Sequence, residues 1–529
     1  MLEDAIQHIR KLQLVTLIGV ILFLSVFSSH RALGQTQDQP LADTTFRPKT
    51  DGFAFQNYTN EKVVQNLTAV EMVKMFGNGV CADQATPCTL IPPAQQFMDE
   101  INKGMNDGHC EGMAALSLVL FEQKEKAADF GGNTMADLKF ETPALQSEIA
   151  RFFSTQATTP TRTGEVKGKT PNEIVDLLVG AMKDGAKSAE LYTLGFYKRE
   201  FKGGHAVTPY AVVDKGNDLV WIMIYDNNFP GEERYIEVDR KANTWKYSAA
   251  ASPDIPESLY EGDADSKTMT ITPTTPRLQL QDCSFCAAGG SANAGDFAAA
   301  APKFNEISLV SQSAANNTNL LITDASGHKI GYEGGKFVND FPGADFQPVT
   351  SDSNLWSDNP EPIYFIPQGV AFTVTLDGSE VKVKEPTDVV MLGAGYSLAV
   401  EGINLDPNQK DTITFSPDGT EIGYKSSNAE SPNIVVGVVH TGADYEFDIK
   451  GAEVQAGDTI HTKLDFDKGQ LLFSNTNTTA HSIFDLTVHK ITDKGDHVLS
   501  KAGIDVAPGK GIFIDFGKIS GTDIPTENQ

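Results

Sequence analysis

The sequence is short of basic charge: 42 Lys and Arg stand against 70 Asp and Glu, leaving a formal net charge of -28. Such a surface repels phosphate backbones and anionic headgroups, so no nucleic-acid partner is expected. Histidine is scarce as well, and between residues 35 and 300 only His109 and His205 occur. The histidines of the C-terminal half are scattered without ligand spacing, and HExxH, Walker and GxSxG motifs are absent. The expectation is therefore no metal and no cofactor. A long apolar run is missing too: residues 14–27 are broken only by Thr16, Gly19 and Ser25 and fall short of the ~20 residues of a spanning helix. Cysteine numbers only five, which is odd.

What is present begins with that run. Arg10 and Lys11 precede it, and Ala32, Leu33 and Gly34 supply small residues before Gln35. This is the form of a secretory signal over 1–34, with an uncleaved membrane anchor as the other outcome. A secreted or extracytoplasmic chain makes the cysteines readable, because disulfides persist outside the cytoplasm.

With 529 residues the chain has room for three or four domains at about 150 residues each. Residues 45–250 mix helical and strand patterns and read as one α+β domain. Residues 251–302 are rich in Thr and Pro, then in Ala and Gly, and read as a linker. Beyond 303 come short strands punctuated by turns: 320–323, 363–366, 371–376, 380–383, 412–415, 434–439, 483–488 and 511–516. That spacing predicts all-β sandwiches. An internal echo supports two of them, 303–385 and 386–529, because Gly327-His328-Lys329-Ile330-Gly331-Tyr332 parallels Gly419-Thr420-Glu421-Ile422-Gly423-Tyr424.

Cys81 and Cys88 are seven apart and Cys283 and Cys286 three apart, which in an oxidising compartment gives two local disulfides and leaves Cys110 free. Gathering these four around zinc is a second option, but the first spacing is wider than usual. Cys110 follows the loop-like Asn106-Asp107-Gly108-His109 and opens a helical stretch over 111–128. A helix N-terminus favours a thiolate. Adjacent helical side chains diverge by about 100°, so His109 does not face the Cys110 sulfur. His205 is then the base by elimination. It follows Gly203-Gly204 and opens a strand, 206–213, that pairs with the apolar run 219–225. A turn centred between Gly216 and Asn217 sets partners that sum to 433, which puts His205 opposite Asn228 and Val207 opposite Asp226, all on one face. A one-residue slip moves Asp226 to the other side. In the first register Asp226, or alternatively Asn228, orients the imidazole.

Gly-His-Cys-Glu-Gly-Met-Ala opening a helix, then Gly-Gly-His-Ala-Val opening a strand, then Tyr-Asp-Asn-Asn at a strand end, resembles papain-like cysteine peptidases and the related transglutaminase-like proteins over roughly 70–250. The resemblance implies a papain-like N-terminal domain followed by the β-sandwiches, with Cys110 as nucleophile, His205 as general base and acid, and Asp226 as orienter. Papain-type enzymes carry a Gln six residues before the nucleophile, where this chain has Gly104, so Asn102 or Asn106 becomes the oxyanion candidate beside the Cys110 amide.

The expectation is an exported cysteine hydrolase acting on protein or peptide substrates through a thioester. The sandwiches would serve attachment to a cell-envelope polymer or protein. The alternatives are transglutaminase-like acyl transfer and a non-catalytic envelope or adhesion protein built on a degenerate papain-like scaffold.

Overall fold

The computed structural model describes residues 39–60, 63–249, 258–286, 304–311, 318–350, 361–416, 418–519 and 523–529. The expected signal segment and the Ala/Gly-rich stretch after 286 lie outside them.

The N-terminal part pairs helices with an antiparallel sheet. Its strands are β1 (Gln39–Asp43), β2 (Tyr192–Tyr197), β3 (Gly204–Gly216), β4 (Leu219–Tyr225), β5 (Arg234–Asp239), β6 (Thr244–Ala249), β7 (Ser258–Asp263) and β8 (Met269–Pro273), in the order β7-β6-β5-β4-β3-β2-β8. β1 also pairs with β3, at residues 211–214, whereas β2 takes the other end of that strand at 204–207. The helix Cys110–Phe121 packs on the helix Pro143–Ser154 and on β3. It ends seven residues before the stretch read from the sequence, and every residue from 110 to 120 is buried.

Residues 251–302 are not simply a linker. β7 pairs with β6 and β8 with β2, so the sheet takes in segments whose composition suggests a linker. Met269–Pro273 is buried throughout, because its Thr and Pro residues lie between covered faces rather than in water. Cys81–Cys88 and Cys283–Cys286 are disulfides and Cys110 is free, as expected, so the four paired cysteines are not thiolate ligands. Both bridges join a core cluster with Phe76, Phe97 and Phe285. The disulfides fit an oxidising compartment, and among the described residues no helix is long and apolar enough to cross a membrane.

The C-terminal half consists of a ten-stranded and a nine-stranded antiparallel sheet around one apolar cluster running from Ile307 to Ile524. The sandwich expectation holds at this level, but the division at 385/386 does not. Strand Glu385–Gly393 contains that boundary and pairs with Phe304–Ser311 on one side and Tyr396–Leu405 on the other. In the facing sheet, Phe372–Asp377 likewise bonds to strands of both halves. Joining edge to edge leaves no unpaired ladder between the halves. The repeated motif marks two hairpins of one sheet, Asn319–Asp324 with Lys329–Glu333 and Lys410–Phe415 with Glu421–Lys425. Residues 380–383 form no strand, and Val383 is exposed.

The two halves of the protein share a core. Ala94, Phe97 and Ile101 of the helix Pro92–Gly104, with Ile91 just before it, belong to one cluster with Ile363, Phe365, Val390 and Val435 of the sandwich. Lys103 adds ion pairs to Asp388 (3.0 Å) and Glu401 (3.3 Å).

Gly112 sets the depth of the Cys110 helix. A Cβ there would stand 2.1 Å from the Ile149 carbonyl oxygen and 3.0 Å from the Phe153 nitrogen, so the two helix backbones meet at this point. Gly112→Ala is expected to cost about 2 kcal/mol or more through forced separation of the helices. Urea denaturation checks this, and an unchanged midpoint would show that the contact yields freely.

Candidate active site

Cys110 begins its helix after Gly108, whose φ of 144° is one that L side chains rarely adopt. His109, the residue before the thiol, is turned elsewhere. Its ring nitrogens meet the Tyr58 carbonyl (2.7 Å) and Asn66 Oδ1 (2.9 Å), and its ring stacks on Tyr58. Burial pushes it down to about 4, opposed by the Tyr58 carbonyl, and both ring nitrogens are engaged away from the thiol.

His205 stands near the start of β3. The strands β3 and β4 meet in the anticipated register at this end: Thr208 pairs with Tyr225 and Pro209 with Ile224. They reach it by another route. The turn centres on Asn217 and Asp218, both with positive φ, and Gly216 pairs with Leu219. Two irregularities, between Asp214 and Gly216 and between Pro209 and Ala211, then shift the pairing back. Asp226 thus comes to the imidazole, with His205 Nε2 2.9 Å from Asp226 Oδ1.

That contact commits Nε2 and leaves Nδ1, which has no hydrogen-bond partner of good geometry among the described residues. The Cys110 thiol is close enough that thiolate and imidazolium favour each other. Burial pushes the Cys110 thiol up, opposed by His205 and by the Ala206 amide, and the balance lies above the ordinary cysteine value. For His205, burial acts downward but Asp226 and Cys110 outweigh it, so the imidazole lies well above its usual range. Burial raises the Asp226 carboxyl, while His205, the Tyr247 hydroxyl and the Asn228 amide together hold it below its usual value.

The oxyanion candidates are engaged elsewhere. The Asn102 side chain braces Leu67, accepting from its N–H (3.0 Å) and donating to its carbonyl (3.1 Å), and Asn106 Oδ1 accepts from Asn60 (2.7 Å). Asn102 lies in the last turn of the Pro92–Gly104 helix and Asn106 in the 3-10 turn after it, and none of these contacts reaches Cys110. The carboxylate on the ring is that of Asp226, and the backbone N–H of Asn228 donates to the same Asp226 oxygen (2.9 Å).

Three supports were not foreseen. Tyr247 on β6 donates to Asp226 Oδ2 (2.5 Å) and accepts from Arg234 (2.8 Å). Asn227 donates to the carbonyls of Cys110 and Ala206, each at 3.0 Å, and so ties the start of the helix to β3. Glu111 pairs with Arg277, whose guanidinium is fully buried and also meets Thr155 and Thr193. Asn227 was visible in the Asp-Asn-Asn run, but nothing local marks Tyr247 or Arg277, which approach from distant sequence.

This arrangement can deprotonate a thiol and return the proton to a leaving group, with a carboxylate fixing the ring. No protein-family model matches the chain, and no curated protein and no solved structure matches it.

The pair makes stability depend on pH with a defined sign. His205, raised above 6.5, contributes fully below 6.5 and loses its contribution as pH climbs through its folded value. Asp226, lowered from 3.8, contributes above 3.8 and loses its contribution as pH falls through its folded value. Asp226→Asn is therefore expected to destabilise most between about pH 4 and 6.5, by about 3 kcal/mol. Melting temperatures of both proteins across pH check this, and a difference independent of pH would contradict it.

Proposed function

We propose that the protein is an exported thiol hydrolase, a peptidase of the papain-like kind, working through Cys110, His205 and Asp226. The observation that carries this is the division of the imidazole, with Nε2 committed to Asp226 at 2.9 Å and Nδ1 left for the thiol. In the reaction His205 takes the thiol proton and sulfur bonds to the amide carbonyl carbon. The C–N bond then breaks as His205 gives that proton to the leaving amine. Water, deprotonated by the same ring, releases the acyl group as a carboxylic acid and restores the thiol. Attack by an amine instead of water gives acyl transfer from the same thioester. The sandwich half is suited to attachment at the cell envelope.

The non-catalytic alternative draws on one fact: Cys110 has no exposed surface. The two readings differ in the thiol's chemistry once it is reached. The alkylation rate of Cys110 by iodoacetamide, followed across pH by mass spectrometry, is expected to inflect at lower pH in the wild type than in His205→Ala, because the imidazole is the main group opposing the effect of burial on the thiol. Identical profiles in the two proteins would overturn the hydrolase reading.

A further inference from the structure

Cys110 and Asp226 are wholly buried and His205 is 1% exposed, so no substrate reaches them in this conformation. One run of the sandwich, residues 345–350, meets the sequence neighbours of both reacting groups. Thr350 Oγ1 donates to Glu111 Oε2 (3.1 Å), next to Cys110. The Val349 carbonyl packs against Gly204, next to His205, so closely that a Cβ there would lie 2.5 Å from its oxygen. Tyr197 donates to the Pro348 carbonyl (3.4 Å). Gln156 accepts from the Thr350 N–H (2.9 Å) and donates to the Thr350 carbonyl (3.4 Å).

These contacts are directed mainly at main-chain atoms. A glycine that admits a carbonyl, an amide that reads one residue's N–H and C=O, and a phenol on the preceding carbonyl recognise an extended peptide with little regard to its side chains. The side-chain contacts hold the run from its ends. Asp345 pairs with Arg162 (2.6 Å) and Lys167 (3.1 Å), and Gln347 donates to Glu165 (2.9 Å).

The sandwich also grips the loop before His205. Glu200 and Phe201 have φ of 61° and 58°, unusual for residues with a Cβ. Tyr332 donates to the Glu200 carbonyl (2.7 Å), the Phe337 N–H donates to the Glu200 carboxylate (3.1 Å), and the Phe201 ring packs on Phe337 and Phe346. Such backbone persists only where its surroundings impose it.

We infer that residues 347–350 occupy the groove that an extended polypeptide substrate takes, so that the full chain is latent until the sandwich releases this run. The inference rests on the thiol-hydrolase reading, and it explains why a nucleophile sits without exposed surface. Displacing the run is expected to lessen the burial that opposes the thiolate while leaving in place His205 and the Ala206 amide, which favour it.

The test is native-state alkylation of Cys110 by iodoacetamide in the full chain, comparing the wild type with Asp345→Ala and with the milder Lys167→Ala, each checked for an intact melting transition. Loss of the anchoring pair is expected to speed alkylation by about tenfold or more in Asp345→Ala and by less in Lys167→Ala. A synthetic peptide of residues 343–352 is expected to slow it again. Should Asp345→Ala fail to fold, Lys167→Ala carries the comparison. Equal rates in wild type and folded variants, fast or slow, would overturn the closure. Acceleration without protection by the peptide would overturn the groove assignment. Acceleration with the pH profile of an ordinary thiol would leave the closure standing and remove the hydrolase reading beneath it.

Discussion

A thiol and an imidazole can be kept together inside a protein only if the polar groups around them are paired, because each buried group left unpaired costs about 1–3 kcal/mol and an unpaired charge more. Most of the surroundings of Cys110 follow from that constraint, although Asn227 Oδ1 and Arg277 Nε find no hydrogen-bond partner among the described residues. Asp226, fully buried, takes hydrogen bonds from His205, Tyr247 and the Asn228 amide. Asn227 closes the gap between helix and strand by donating to carbonyls of both. Glu111, which points into the same interior, is met by the buried Arg277. The sheet must therefore run from β7 round to β8, since Tyr247 comes from β6 and Arg277 follows β8.

The three central residues were legible in the sequence for separable physical reasons. Cys110 stood out as the unpaired cysteine at a helix start, His205 as the one histidine left when adjacent helical side chains diverge, and Asp226 through strand register. The register succeeded by compensation: the turn lies one residue further along than assumed, and the two irregularities in the β3–β4 ladder restore the pairing at the end that matters. Side-chain alternation does not encode where a ladder shifts, so this was beyond reach. Tyr247, Arg277 and the run 345–350 were illegible because they are contacts across long sequence separations, each chosen by packing rather than by its neighbours.

Segment boundaries depend on neighbours that composition does not carry. Thr- and Pro-rich composition reads as a solvated linker, yet Met269–Pro273 is a buried strand and Arg277 a buried charge. The repeat in the C-terminal half reads as two modules, yet both sheets pass through the junction and one apolar cluster fills the interior. In each case composition described the segment correctly, and its neighbours, which composition does not see, decided its role. The shared cluster between the Pro92–Gly104 helix and the sandwich has the same lesson: the C-terminal half is packed onto the site-bearing half as part of its core.

The chemistry proposed for Cys110, His205 and Asp226 requires that the three titrate as one unit. The most direct measurement is the NMR titration of the His205 ring in the wild type and in Cys110→Ser. The ring is expected to titrate well above 6.5 in the wild type and lower when the thiol is replaced, because Cys110 is one of the groups that raise it. A ring that titrates near 6.5, or one indifferent to the loss of the thiol, would contradict the account.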